Sequence, residues 1–290
     1  MSVSTIENNI GIFKCPVCNE SMTLNEKSMV CEKYHCFDIS KTGYINLLLN
    51  SKKQPYDKEL FISRDFVCHM GFFDPLIKEL VSLINSKINH YKDKANILDA
   101  GCGEGFHLAQ IMKKLNETSE INSQGFGTDI SKEGIQIASK KYKNIVWCVS
   151  DLARTPYKDG KFDIILNILS PSNYGEFERL LTNTGFLIKV VPGKEYLKEL
   201  RRTFYEETEK ERYSNSKVIN HFEKNFSLVN LQKVNYTVPV NKEELAHLIK
   251  MTPLSWGAER LKVQQALSSE ISSITADFSV LLGKRKEKNE

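Results

Sequence analysis

No stretch of the 290 residues approaches the ~20 consecutive apolar residues that a membrane span needs. The opening MSVSTIENN lacks the basic and apolar regions of a secretory leader, so a cytoplasmic protein with no membrane partner is expected. No segment repeats itself, which argues against solenoids and propellers. Neither sign of charge is in large excess: 40 Lys and Arg against 36 Asp and Glu leave a net +4, which permits a polyanionic partner such as RNA but does not demand one. At 41% hydrophobic and 26% charged residues the chain is neither disordered nor fibrous, and its length suits one large domain or two unequal ones. Cysteine is present in an odd number, seven, and three of them crowd the first 31 residues. That is not a secreted disulfide framework, and metal binding is the first alternative.

Residues 13 to 49 are rich in Cys, Lys and polar side chains and have too few apolar runs to build a core alone, so this segment needs a staple. The polar run SKKQPYD, Ser51 to Asp57, reads as a linker. From Pro75 to Ile88 the apolar residues recur at helical spacing. The rhythm then alternates. Strands are expected at Asn96 to Ala100, Gly125 to Ile130, Asn144 to Val149, Phe162 to Leu169 and Gly185 to Val191, with helices at Phe106 to Leu115, Lys132 to Tyr142 and Tyr174 to Leu181. Such alternation predicts an α/β fold, with βα units around a parallel sheet covered on both faces. Further strands are expected at Leu228 to Val240 and Asp277 to Leu282, with helices near Lys242 to Met251 and Glu259 to Leu267 between them, and GKRKEKNE reads as a frayed tail. The division is residues 1–50 as a small Cys-containing module, 51–92 as linker and leading helices, and 93–290 as the α/β domain.

Cys15 and Cys18 in CPVC, followed by Cys31 and His35, form Cys-x2-Cys-x12-Cys-x3-His. Two thiolates two residues apart reach one ion from a tight turn, and a second pair completes a tetrahedron with no open position, hence a structural zinc. Cys36, adjacent to His35, is the alternative fourth ligand. Cys68, Cys102 and Cys148 lie in apolar surroundings and read as core residues.

In NILDAGCGEGF an apolar strand ends in Asp99, and Gly101, Gly103 and Gly105 open a helix. The spacing Gly-x-Gly-x-Gly differs from the Gly-x-Gly-x-x-Gly of dinucleotide folds, and the Lys-Ser/Thr of a P-loop is absent. The loop resembles motif I of the S-adenosylmethionine-dependent methyltransferases. Asp129, at the end of GFGTDI, stands where two ribose hydroxyls are held, and Asp151, after NIVWCVS, where the adenine edge is recognised. Three strand ends bearing these residues in order are far more specific than the glycine loop alone.

The zinc-ligand spacing ahead of LDAGCGEG resembles the RlmA-type 23S rRNA (guanine-N1)-methyltransferases. HCFDISKTGYINLL, SRDFVCHMGFFDPL, VVPGKEYLKEL and MTPLSW agree with that family's landmarks, in order and over nearly the whole chain. The resemblance implies a class I (Rossmann-like) S-adenosylmethionine-dependent methyltransferase with a small N-terminal zinc-binding module, acting on N1 of a guanine in a 23S rRNA hairpin loop. It implies zinc on Cys15, Cys18, Cys31 and His35, and cofactor contacts from Phe73, Gly103, Glu104 and Tyr196. Phe73 and Tyr196 stand where some members carry Tyr and His, a change that preserves packing but not polar contacts. One branch of the family contributes to macrolide-type resistance, LNILSPSN leans toward the Gram-positive branch, and a homodimer flanking one RNA stem suits the family.

The guanine N1 lies on the Watson–Crick edge and carries a proton, so the base must leave its stack and some group must take that proton. Asn167 and Ser170 in LNILSPSN are the acceptor-side candidates, and the base itself is left open among Asp, Glu or water. His107 reads as a packing or capping residue. Lys41, Lys52, Lys53 and Arg64 are candidate phosphate contacts. If the zinc module only reads RNA, its removal abolishes methylation and spares cofactor affinity; loss of both shows that it stabilises the catalytic domain. Two other readings stand beside this one. A non-catalytic RNA-binding or assembly factor is opposed by the intact Gly101, Gly103, Asp129 and Asp151, and a small-molecule methyltransferase leaves the zinc module without a purpose.

Overall fold

The computed structural model describes residues 2–50, 58–88, 94–118 and 122–287. The linker expected at Ser51 to Asp57, with Lys52 and Lys53, lies outside the described residues. The chain begins with α1 (Ser2–Glu7), β1 (Met22–Asn25), β2 (Ser28–Cys31), β3 (Cys36–Asp38) and β4 (Tyr44–Asn46). Helices α2 (Lys58–His69) and α3 (Asp74–Asn85) lead into β5 (Lys94–Ala100), α4 (Phe106–Thr118), β6 (Asn122–Asp129), α5 (Lys132–Lys141), β7 (Val146–Val149), β8 (Phe162–Ile168), α6 (Tyr174–Leu180) and β9 (Leu181–Pro192). The remainder is α7 (Lys198–Tyr205), α8 (Ser216–Asn225), β10 (Phe226–Pro239), α9 (Lys242–Met251), α10 (Arg260–Ser268) and β11 (Ser273–Arg285).

Strands β1 to β3 form a small antiparallel sheet, and the other eight form one sheet in the order β10-β11-β9-β8-β5-β6-β7-β4. From β4 to β9 neighbours run parallel; β11 then pairs antiparallel with β9, and β10 with β11. The antiparallel end departs from the parallel sheet expected from βα alternation. Its last strand is also longer than expected: Lys284 and Arg285, assigned to a frayed tail, pair with Ser227 and Phe226. Strand β11 is buried along ten successive residues because it lies between β9 and β10. Helices α7 and α8 escape sequence reading because so few of their residues face the core: three in α7 and only Phe222 in α8.

Side chains alternate across the sheet, so Ile97 packs in one core and its neighbour Leu98 in the other. The first core takes the apolar stripe of α3, namely Leu76, Ile77, Leu80, Val81 and Ile84. The second is shared between the sheet and the N-terminal segment: Ile6, Ile12, Phe13, Met29 and Ile45 pack with Leu98, Phe126 and Tyr157. The segment is tied in by backbone as well. Ile45 registers with Cys148, the Leu47 amide donates to the Val149 carbonyl, and the Lys14 amide donates to the Pro156 carbonyl. The thin composition of residues 13–49 is therefore compensated twice, by a ligand cluster and by a borrowed core. Cys68, Cys102 and Cys148 are buried, as their apolar contexts suggest.

Candidate active site

Strand order reverses about β5, since β6 lies to one side of it and β8 to the other. In open α/β sheets such a point leaves a crevice at the carboxyl ends of the two strands, which here are the glycine loop after β5 and Leu169–Pro171 after β8. Gly101, Gly103 and Gly105 all adopt positive φ, of 87°, 56° and 81°. A Cβ on Gly101 would stand 1.8 Å from Ser170 Oγ, so the loop after β8 can approach only because that side chain is absent. Leu169 itself sits at φ 51°, a strained conformation for a branched residue, and it turns Ser170 toward the loop.

Two cavities meet here. One, of about 260 Å³, is lined by Arg64, Gly101, Gly103, Asp129 and Asp151; the other, of about 660 Å³, by Phe73, His107, Lys189, Tyr196 and Trp256. Arg64, Leu169, Ser170 and Pro171 line both.

In the smaller cavity the Asp129 carboxylate accepts the Gly103 amide at 2.8 Å and the Ser131 amide at 2.8 Å, which fixes it at the end of β6. Asp151 accepts the Ala153 amide through Oδ1 at 2.8 Å. Arg64 Nε lies 3.1 Å from Oε2 of Glu104, whose side chain is fully buried. Beneath the loop, Asp99 is buried and its Oδ1 has no hydrogen-bond partner; burial, with Asp129 adding to it, pushes this carboxyl up to about 8. A side-chain-free floor, an orphaned carboxyl oxygen, acidic groups at two strand ends and one guanidinium suit a ligand with a diol, an amino-acid moiety and an aminopurine. S-adenosylmethionine has those groups.

At the other end of the chain, the ligand atoms of Cys15, Cys18, Cys31 and His35 all lie within 4.8 Å of one another. His35 Nδ1 is 3.6 Å from Cys15 Sγ and 3.3 Å from Cys31 Sγ, and Cys18 Sγ is 3.6 Å from Cys31 Sγ. A zinc tetrahedron with Zn–S of about 2.3 Å and Zn–N of about 2.0 Å has edges of about 3.5–3.8 Å. The donors and their spacing fit structural zinc. Cys36 is exposed and stands outside the cluster.

Residues 13–55 match the family model described as RlmA, N-terminal, a zinc ribbon, and residues 91–252 match a methyltransferase domain. YxjB of Bacillus subtilis, provisionally named a 23S rRNA (guanine-N(1)-)-methyltransferase, is 39% identical over 95% of this chain and 98% of its own. The chain belongs to the RlmA-type 23S rRNA (guanine-N1)-methyltransferase family. A 23S rRNA (guanine(748)-N(1))-methyltransferase of Streptomyces fradiae is 24% identical, over 86% of this chain and 88% of its own. A protein of Micromonospora griseorubida, again provisionally named a 23S rRNA (guanine-N(1)-)-methyltransferase, is 25% identical over 91% of this chain and 94% of its own. The fold is accordingly that of a class I S-adenosylmethionine-dependent methyltransferase, with its sheet extended by β4 from the zinc ribbon.

Within this RlmA-type enzyme the sequence-derived residues divide into three groups. Gly101, Gly103, Asp129 and Asp151 come together around the smaller cavity. Phe73 and Tyr196 face the larger one instead, each packed near Phe278, and Ser170 stands between the two. Asp99, Glu104 and Asn167 line neither cavity and lie below the surface.

Asn167 was expected on the acceptor side, but its side chain is committed inside the protein. Nδ2 donates to the Ala100 and Pro171 carbonyls at 2.9 Å each, and Oδ1 accepts from Ser172 Oγ and Lys189 Nζ. It positions the loop after β8. Arg64 was expected on phosphate; the structure places it beside Glu104 and Gly103, where it lines both cavities. His107 packs edge-on against Phe73 with ring centroids 4.7 Å apart, and burial pushes its pKa down to about 3, so it is neutral and a poor base. Sequence reasoning missed Lys189. The available signal was one charged residue inside the apolar run FLIKVV.

Proposed function

We propose that this protein transfers a methyl group from S-adenosylmethionine to N1 of a guanine in a 23S rRNA hairpin loop. The observation that carries the reading is the junction of the two cavities at Leu169–Ser170–Pro171. A cofactor on the glycine loop and a base in the larger cavity would meet across Ser170. S-adenosylmethionine supplies an electrophilic methyl on its sulfonium; the protein's task is to align the acceptor nitrogen with it and keep water out.

Asp129 would hold the ribose hydroxyls, Asp151 the adenine edge and Arg64 the carboxylate of the amino-acid moiety, while Asp99 lies buried beneath the glycine loop and lines neither cavity. Glu104 acts through Arg64. Phe73, Tyr196 and Trp256 provide apolar and aromatic walls for a flattened purine drawn from its stack. The zinc ribbon, with Lys41 exposed on it, would meet the phosphates of the hairpin. An rRNA substrate implies work in the cytoplasm, and the family resemblance supports two copies on one RNA stem, a stoichiometry that light scattering of the complex reads directly.

The test is nucleoside mass spectrometry of 23S rRNA lacking its N1-methylguanine, after incubation with the protein and isotopically labelled S-adenosylmethionine. Labelled 1-methylguanosine is expected. Label in no nucleoside, despite bound zinc and cofactor, overturns the assignment.

A further inference from the structure

The larger cavity contains no Asp or Glu among the described residues that line it, although a guanine N1 must lose a proton to become N1-methylguanine. What it does contain is Lys189. In the middle of a sheet, on β9 directly beside Asn167 of β8, this lysine is only 4% exposed. Its Nζ donates to Asn167 Oδ1 at 2.6 Å and to the Ser170 carbonyl at 3.2 Å. No carboxylate among the described residues forms an ion pair with it.

These contacts determine what the amine presents to the cavity. A tetrahedral nitrogen has four positions; Cε takes one, and two hydrogens are held by Asn167 and Ser170. The fourth position is a hydrogen in the ammonium form and a lone pair in the amine form. Both anchoring partners are neutral acceptors, so they retain their bonds when the third proton leaves. We propose that Lys189 is the general base of this enzyme, its Nζ lone pair accepting the N1 proton of the guanine. The inference rests on the function proposed above and deepens it by naming the group that completes the reaction.

The step balances. The N1 electron pair forms the N–CH₃ bond, the S–CH₃ bond breaks with its pair going to sulfur, and the N1 proton passes to Nζ. A cationic sulfonium, a neutral guanine and a neutral amine become a neutral thioether, a neutral N1-methylguanine and an ammonium. Burial supports the assignment by pushing the Lys189 pKa down to about 8, where the amine form is accessible near neutral pH. The other titratable groups on this cavity are Tyr174 of α6, Lys217 and His221 of α8, Tyr213 just before it, Arg64 of α2, His107 of α4 and Tyr196 after β9. Of these His221 is the one other side chain able to offer a nitrogen lone pair from an exposed ring.

The experiment is single-turnover methylation of a 23S rRNA hairpin with labelled S-adenosylmethionine from pH 6 to 10, for the wild type, K189M, K189R and H221Q. The wild-type rate should rise tenfold per pH unit and level off near pH 8. K189M and K189R should fall by about 100-fold or more at pH 7.5 with cofactor Kd within twofold of wild type. Methylamine should restore part of the K189M rate, which a merely structural role for Lys189 would not permit. A K189M rate close to wild type overturns the proposal. So does a wild-type rate that falls through pH 8, which would make Lys189 an ammonium donor, or a pH dependence that H221Q removes. A wild type inert on rRNA instead overturns the function on which the inference rests.

Discussion

Truncating Phe13 to alanine tests whether the zinc ribbon and the catalytic sheet are one cooperative unit. Phe13 lies two residues before the first zinc ligand, is fully buried and pairs with Tyr157, with ring centroids 5.2 Å apart. Tyr157 in turn packs edge-on against Phe162 at the start of β8, so the ring links the metal site to the centre of the sheet. Loss of a buried phenylalanine costs about 3–5 kcal/mol, a large share of the roughly 5–15 kcal/mol that holds a domain folded. At roughly 2–4 °C per kcal/mol, the unfolding midpoint should fall by about 6–20 °C. Calorimetry of the zinc-loaded protein, with and without S-adenosylhomocysteine, is the assay. One transition should move as a whole, and cofactor affinity should weaken on warming along with zinc retention. The shared core predicts the same joint loss on chelation, which would make the ribbon a structural part of the enzyme in addition to the RNA contact proposed for it. Two separate transitions, with the cofactor-stabilised one unmoved by the substitution, would refute the reasoning.

Replacing Arg64 with methionine leaves the fully buried Glu104 carboxylate without its counter-charge and should cost about 3 kcal/mol; chemical denaturation should show the loss, and adding Glu104→Gln should recover part of it. Asp99, whose folded-state pKa is raised from 3.8 to about 8, favours folding fully below about pH 3.8, and that contribution is lost as pH rises through about 8. Asp99→Asn should therefore flatten the decline in apo-protein stability across that window, and an unchanged midpoint-against-pH curve would show that Asp99 is not held protonated. Cys36→Ser should keep one zinc per chain by atomic absorption, whereas His35→Ala should lose it or bind it far more weakly, because only His35 belongs to the cluster. The reverse pattern would transfer the fourth ligand to Cys36.

What could be read in the sequence was local chemistry. Cys15 and Cys18 meet because two intervening residues form one turn, and Asp99, the three glycines and the start of α4 are contiguous in the chain. Strand ends carrying Asp129 and Asp151 were legible for a related reason: in a βα repeat each strand returns to the same edge of the sheet, so order along the chain becomes order in space. Tertiary structure decided whatever depended on pairing between distant segments. Arg64 and Glu104 are forty residues apart in the chain, and nothing local distinguishes an arginine bound for phosphate from one bound for a buried carboxylate. The register of β8 against β9 sets Lys189 beside Asn167 and so turns an odd charge in an apolar strand into a buried lysine on the larger cavity. The antiparallel β10–β11 end and the docking of β4 on β7 arise in the same way, from hydrogen bonds and burial that no single segment specifies. Residue types and short spacings determined which ligands this chain can hold; long-range packing determined which side chains face them and in what protonation state.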